Sequence, residues 1–145
     1  MDDDVNRLRI ALGRISRTVD REVSGDGMTR TTLSLLGTLA RHKSVGMGEL
    51  AEIEGLNPTM ASRLVAKLQD AGLLRRVPGD DDRRAVTVEI TPEGTRTQNR
   101  LRRQRTAALA GWLEGLSPDE REALLKAVPA LESLAAAMRA GRATR

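Results

Sequence analysis

Residues 47–91, MGELAEIEGLNPTMASRLVAKLQDAGLLRRVPGDDDRRAVTVEIT, decide the fold. They read as a short helix, a tight turn, a second helix, and two strands around a charged loop. The second helix has clear ends: Asn57 is an N-cap residue, Pro58 sits at the first helical position, and Gly72 follows the last turn. Within it Ala61, Leu64, Val65, Leu68 and Ala71 recur at steps of three and four and form one apolar stripe. Thr59, Ser62, Arg63 and Ala66 fall on the opposite face. That face is small, hydroxylated and cationic, which suits an element lying in the major groove of a duplex. A solvated face of an ordinary amphipathic helix has the same composition, so this helix alone does not decide.

Its neighbours do. Upstream, Leu50, Ala51 and Ile53 give a short apolar-faced helix, and Glu54-Gly55-Leu56 makes an abrupt turn. Downstream, Leu73 to Val77 can form a strand ending at Pro78. The run Ala85 to Ile90 then alternates, with Val86, Val88 and Ile90 on one face. Between the strands lies Gly79-Asp80-Asp81-Asp82-Arg83-Arg84, a hairpin tip with two adjacent guanidinium groups. Helix, turn, helix and basic-tipped hairpin make a winged helix-turn-helix.

Three features of this stretch carry a family resemblance. They are Glu49-Leu50-Ala51, the Asn57-to-Gly72 helix followed by GLLRRV, and DDDRRAVTVEITPEG. Together they resemble the MarR (multiple antibiotic resistance regulator) family. The most specific part is the Asp-x-Arg element, Asp82 and Arg84, followed by a hydrophobic strand and Thr-Pro-Glu-Gly. The flanking helices match in number and order. The resemblance implies a dimer joined by N- and C-terminal helices, with a long fifth helix leading to each winged domain.

Composition narrows the function classes. A chain of 145 residues makes one domain, or one subunit with an extended dimerisation region. No run approaches the ~20 apolar residues of a membrane span, so no membrane association is expected. The acidic start Met1-Asp2-Asp3-Asp4 is unlike a signal peptide. With no cysteine, disulfides and thiol switches are excluded, and a cytoplasmic location is the default. One Trp and no Phe or Tyr disfavour stacking on single-stranded nucleic acid. The net charge is +4, and residues 57–105 hold 11 basic against 6 acidic side chains. The positive excess therefore sits in the half that would face phosphates.

The chain ends read as helices. Val5, Leu8, Leu12, Ile15 and Val19 form a narrow seam for packing against another helix. Ser24 to Gly27 break that helix. Thr29 is placed to cap the next, with Leu33, Leu36, Leu39 and Ala40 as its buried side. After the wing, Thr91 caps a long helix with Pro92 first. Between Arg96 and Arg105 its only large apolar residue is Leu101, so that half is expected to be solvated or close to an anionic surface. Leu109, Trp112, Leu113 and Leu116 follow, and Ser117 with Glu120 reads as a capping box. The last helix carries Leu124, Leu125, Val128, Leu131, Leu134 and Met138, with a bend expected at Pro129.

The expected fold is mainly α with a small β-hairpin wing. An N-terminal dimerisation helix (1–28) precedes a winged helix-turn-helix domain (29–95), and a linking helix and C-terminal dimerisation helix (96–145) follow. The terminal helices are expected to pack together, and across a two-fold axis in a homodimer, through Val5, Leu8, Leu12, Ile15, Val19, Leu124, Leu131 and Leu134.

Catalysis has little to work with. The lone histidine, His42, lies in a polar helix end, and no cluster has metal-ligand spacing, so neither enzyme activity, metal nor cofactor is expected. Duplex DNA is the expected partner. The contact set on the second helix is Asn57, Thr59, Ser62, Arg63 and Lys67, of which Thr59, Ser62 and Arg63 can reach base edges. Arg84, with Arg83 beside it, would enter the minor groove and respond to its width. The resemblance gives Asp82 the task of orienting that arginine. Lys67, Arg75 and Arg76 suit either phosphate contact or mere solubility. The resemblance also implies a small anionic or phenolic effector in a cleft between dimerisation helices and winged domain, here expected to be aliphatic. The competing class is a winged-helix module that docks on protein and binds no duplex.

Overall fold

The computed structural model describes residues 1–23, 28–79 and 85–143. Their elements are α1 (Asp2–Val23), α2 (Arg30–Arg41), β1 (Val45–Gly46), α3 (Met47–Glu54), α4 (Pro58–Asp70), β2 (Leu74–Pro78), β3 (Val86–Ile90), α5 (Pro92–Glu114) and α6 (Pro118–Ala143). They divide into two compact units, Met1–Thr106 and Ala107–Arg145.

In the first unit the fold is the expected one, with a small sheet beside a helix-turn-helix. The sheet has three antiparallel strands in the order β1-β3-β2. Its register sets Val45 opposite Val88, and Leu74 opposite Ile90. Sequence reading expects only the hairpin. A two-residue strand has no period to detect, and β1 exists because β3 offers it an open edge. The main core gathers Leu35, Leu36 and Leu39 of α2, Val45, Leu50 of α3, Val65 and Leu68 of α4, then Leu73, Leu74 and Val88. Leu33 and Leu101 form a second buried cluster, and Met28 packs against both.

Several placements differ from the sequence reading. Ala40 and Ala71 are exposed: the buried face of α2 rotates to take in Leu35 instead, and Ala71 has become the C-cap of α4. Ile53 is 48% exposed, because α3 is too short to bury more than Leu50 and Ala51. Most importantly, the basic half of α5 is not fully solvated. Gly94, Thr97 and Leu101 are buried along one strip, and the arginines take the other sides.

The turns are closed by the backbone. Gly55, at φ +65°, ends α3, with the N–H groups of Gly55 and Leu56 donating to the Glu52 and Ala51 carbonyls. Gly72, at φ +77°, does the same after α4 through Gln69 and Leu68. The step from β3 into α5 is tighter still. The Thr91 hydroxyl donates to the Gly72 carbonyl at 2.6 Å and accepts from the Gly94 N–H at 3.0 Å. Gly94 lies so close that a Cβ there would sit 2.0 Å from the Leu73 carbonyl oxygen. The Thr-Pro-Glu-Gly run is thus a cap followed by a close approach of two backbones.

In the second unit α5 ends and α6 begins at the capping box. Glu120 N–H donates to Ser117 Oγ at 3.3 Å, and Ser117 N–H donates to Glu120 Oε2 at 3.0 Å. Arg121 donates to the Leu113 and Glu114 carbonyls, satisfying the end of α5 with a cation. The helix α6 runs unbroken through Pro129.

Candidate nucleic-acid interface

The helix-turn-helix builds its outward face from the bottom up. Asn57 Oδ1 accepts from Met60 N–H at 2.8 Å, which fixes the first turn of α4. The inward residues Ala61, Val65 and Leu68 are buried, and Leu64 packs partly against the same core. That seating turns Thr59, Ser62, Arg63 and Lys67 outward, all exposed, with Asn57 exposed at the helix start and Ala66 half-buried. Met60 joins them at 54% exposure, an apolar side chain that the polar pattern of the face did not suggest. Among the described residues, Arg63 and Lys67 have no hydrogen-bond or ion-pair partner within the chain. Their charge is open to an external anion.

The two arginines of β2 are spent differently. Arg75 donates through Nε and Nη2 to Glu89 Oε2 at 2.9 and 2.6 Å, its partner directly across the strands. A cation so paired is a weak phosphate anchor. Arg76 reaches α4, donating from Nη2 to the Ser62 carbonyl at 2.8 Å and to Ser62 Oγ at 3.1 Å. A groove of about 540 Å³ runs beside this contact, lined by Gly46, Met47 and Gly48, by Pro58 and Ser62, and by Ala85 to Thr87 at the base of the wing. Asp82, Arg83 and Arg84, expected to act at the wing tip, lie outside the described residues.

A second polar concavity, about 470 Å³, lies between α2 and α5. The sequence reading expects an aliphatic cleft beside the winged domain; this one is cationic. Arg30, Ser34, Gly37 and Arg41 line it from α2, and Gln98, Leu101, Arg102, Arg105 and Thr106 from α5. The spacing of Arg30, Ser34, Gly37 and Arg41 along one helical face was the available signal. Asp20 of α1 forms ion pairs with both Arg30 and Arg105. Arg41 in turn donates to Thr38 Oγ1, whose hydroxyl donates to Glu54 Oε1 at 2.7 Å, so the cleft connects through a buried threonine to the end of α3.

The residues expected at a dimer interface are largely uncovered in the single chain. Val5, Leu8, Leu12 and Ile15 are exposed on α1, as are Leu124 and Leu134 on α6, whereas Val19 and Leu131 are half-buried. Among the described residues, no group of three or more His, Asp or Glu is placed to hold a metal, and no helix is long and apolar enough to cross a membrane.

Comparison with known proteins bears on this geometry. The MarR family model matches residues 28–86. An HTH-type transcriptional regulator of Mycobacterium tuberculosis is 32% identical over 127 residues, covering 88% of this chain and 89% of that protein. This chain belongs to the MarR family. Further proteins extend the match. The HTH-type transcriptional repressor MdtR of Bacillus subtilis is 26% identical, over 83% of this chain and 77% of that one. The crystal structure of YusO, also from B. subtilis, superposes with a TM-score of 0.72 at 26% identity, covering 94% and 95% of the two chains. The apo form of MarR from E. coli gives 0.76 at 17% identity over 87% and 93%, a likeness of fold. The winged helix-turn-helix of this MarR-family chain is thus the DNA-binding architecture of a family of transcriptional regulators.

Proposed function

We propose that this chain is a sequence-specific double-stranded DNA-binding repressor that acts as a homodimer on an inverted repeat. The observation that carries the reading is the outward face of α4. Thr59, Ser62, Arg63 and Lys67 are all exposed there, and neither cation has a partner among the described residues. Side chains of this kind on a helix of this length suit base edges and phosphates of one major groove. Arg63 is the side chain best matched to guanine, and the wing residues Asp82, Arg83 and Arg84 extend the contact into the minor groove.

Dimerisation is supported by the uncovered apolar residues of α1 and α6. A small anionic effector is supported by Arg41 and Arg102 of the α2–α5 cleft, which no carboxylate pairs among the described residues, whereas Arg30 and Arg105 are engaged by Asp20. Repression follows where the bound dimer occludes a promoter.

The test is selection of bound duplexes from genomic fragments, followed by titration of the recovered site at several salt concentrations. An inverted repeat with half-site centres about 10 base pairs apart is expected, since a two-fold dimer presents two recognition helices one DNA turn apart. Affinity should fall steeply with salt. A protein-docking module would recover no duplex.

A further inference from the structure

We infer that Arg76 is a positioning residue for base readout, which fixes both the seating of α4 and the hydrogen-bonding polarity of Ser62. This rests on the reading that α4 enters the major groove. Residues alternate along β2, so Arg76 shares a face with Leu74, which is buried in the core, rather than with Arg75. From that face it ties β2 to α4 at two points. Its backbone N–H donates to Gln69 Oε1 at 3.2 Å, and its Nη2 donates to the carbonyl and the hydroxyl of Ser62. Ser62 and Gln69 are seven residues apart, two helical turns, and so lie on one side of α4. Two ties on one side resist rotation of the helix about its own axis, and that rotation sets where Thr59 and Arg63 point.

The second consequence is chemical. A guanidinium has only donors, so Ser62 Oγ can only accept from it. The hydroxyl makes no other hydrogen bond within the chain among the described residues, leaving its proton free. A hydroxyl that accepts from a cation becomes a stronger donor and a poorer acceptor. Ser62 is thereby biased toward base-edge acceptors, the N7 of purines, the O6 of guanine or the O4 of thymine, and against the amino donors of cytosine and adenine. An arginine merely reaching for phosphate would leave the hydroxyl uncommitted.

The experiment uses the full chain and the tightest duplex recovered from a random-sequence pool, together with every single-base-pair variant of that duplex. Dissociation constants are measured across a salt series for wild type, Arg76→Ala, Ser62→Ala and the double variant. Arg76→Ala should weaken the preferred duplex roughly tenfold and flatten discrimination at the same base pair that Ser62→Ala flattens. The double variant should be no worse than the weaker single, because the two act as one unit. The slope of log K against log salt should stay at the wild-type value. Arg76→Met, which keeps the aliphatic stem without the donors, should reproduce these results and guards against loss of packing. A uniform loss across all duplex variants, with the salt slope reduced by about one, would make Arg76 a phosphate contact and overturn the proposal. Independent, additive effects of the two substitutions would overturn it equally. If wild type recovers no duplex at all, the reading of α4 fails first.

Discussion

Gly94 shows how much a single hydrogen can decide. Its Cα lies against the Leu73 carbonyl, and an added methyl would meet that oxygen at 2.0 Å and Ile90 Cγ1 at 2.8 Å. Backbone on one side and a core side chain on the other leave little room to yield. Gly94→Ala should therefore destabilise the chain by about 1–3 kcal/mol, read as a lower denaturant midpoint at unchanged slope. Arg63 is the opposite case, exposed and without a partner among the described residues. Arg63→Ala should leave unfolding stability within about 0.5 kcal/mol of wild type. Its binding to the selected duplex should lose roughly 1–3 kcal/mol at one base position. Both residues were visible in the sequence, but only Arg63 had a readable role. The motif named Gly94, while its need arises from a carbonyl 21 residues earlier, which no local pattern contains. Arg75 and Arg76 are adjacent and chemically identical in sequence. Strand alternation sends one to Glu89 and the other to Ser62, and that division required the register.

Helices were legible where they carried their own punctuation. Asn57 and Pro58, Thr29, and the Ser117–Glu120 box each mark a start that the structure reproduces. Two elements resisted reading for physical reasons. The strand β1 is stabilised almost wholly by its partner, and the basic half of α5 buries a strip of Gly, Thr and Leu that a hydrophobicity pattern undercounts. The capping box also has a pH signature. Hydrogen bonds from the Ser117 side chain and then its backbone hold the Glu120 carboxyl below its ordinary value. A lowered folded-state pKa adds stability that is complete above the ordinary glutamate range and is lost as pH falls through the lowered value. Ser117→Ala should thus lower the melting temperature near neutrality, and the gap from wild type should narrow in acid. A gap that is constant with pH would mean that the carboxylate does not take part in the cap.

At the scale of the molecule, the proposed homodimer rests on the uncovered apolar side chains of the terminal helices. Leu12 is 40% exposed on α1 in the protomer. Placing a charge there should cost little in an isolated chain and much in an apolar contact between chains. Leu12→Asp should shift the sedimenting species from dimer to monomer while the helical circular dichroism signal is kept. An intact dimer of unchanged stability would remove Leu12 from the interface.

The absence of Phe and Tyr has a further use. Trp112 is the chain's sole aromatic side chain, it lies in the Ala107–Arg145 unit, and it is 60% exposed. Intrinsic fluorescence is consequently blind to the residues of the Met1–Thr106 unit themselves. An indole that loses water when subunits meet emits at shorter wavelength than one left in solvent. Serial dilution of the protein should therefore move the emission to the red if self-association covers Trp112, with no label attached. Addition of duplex to an already associated sample should change the emission little, because the proposed contact face on α4 contains no chromophore. One natural reporter thus separates the assembly of the subunits from their engagement with DNA.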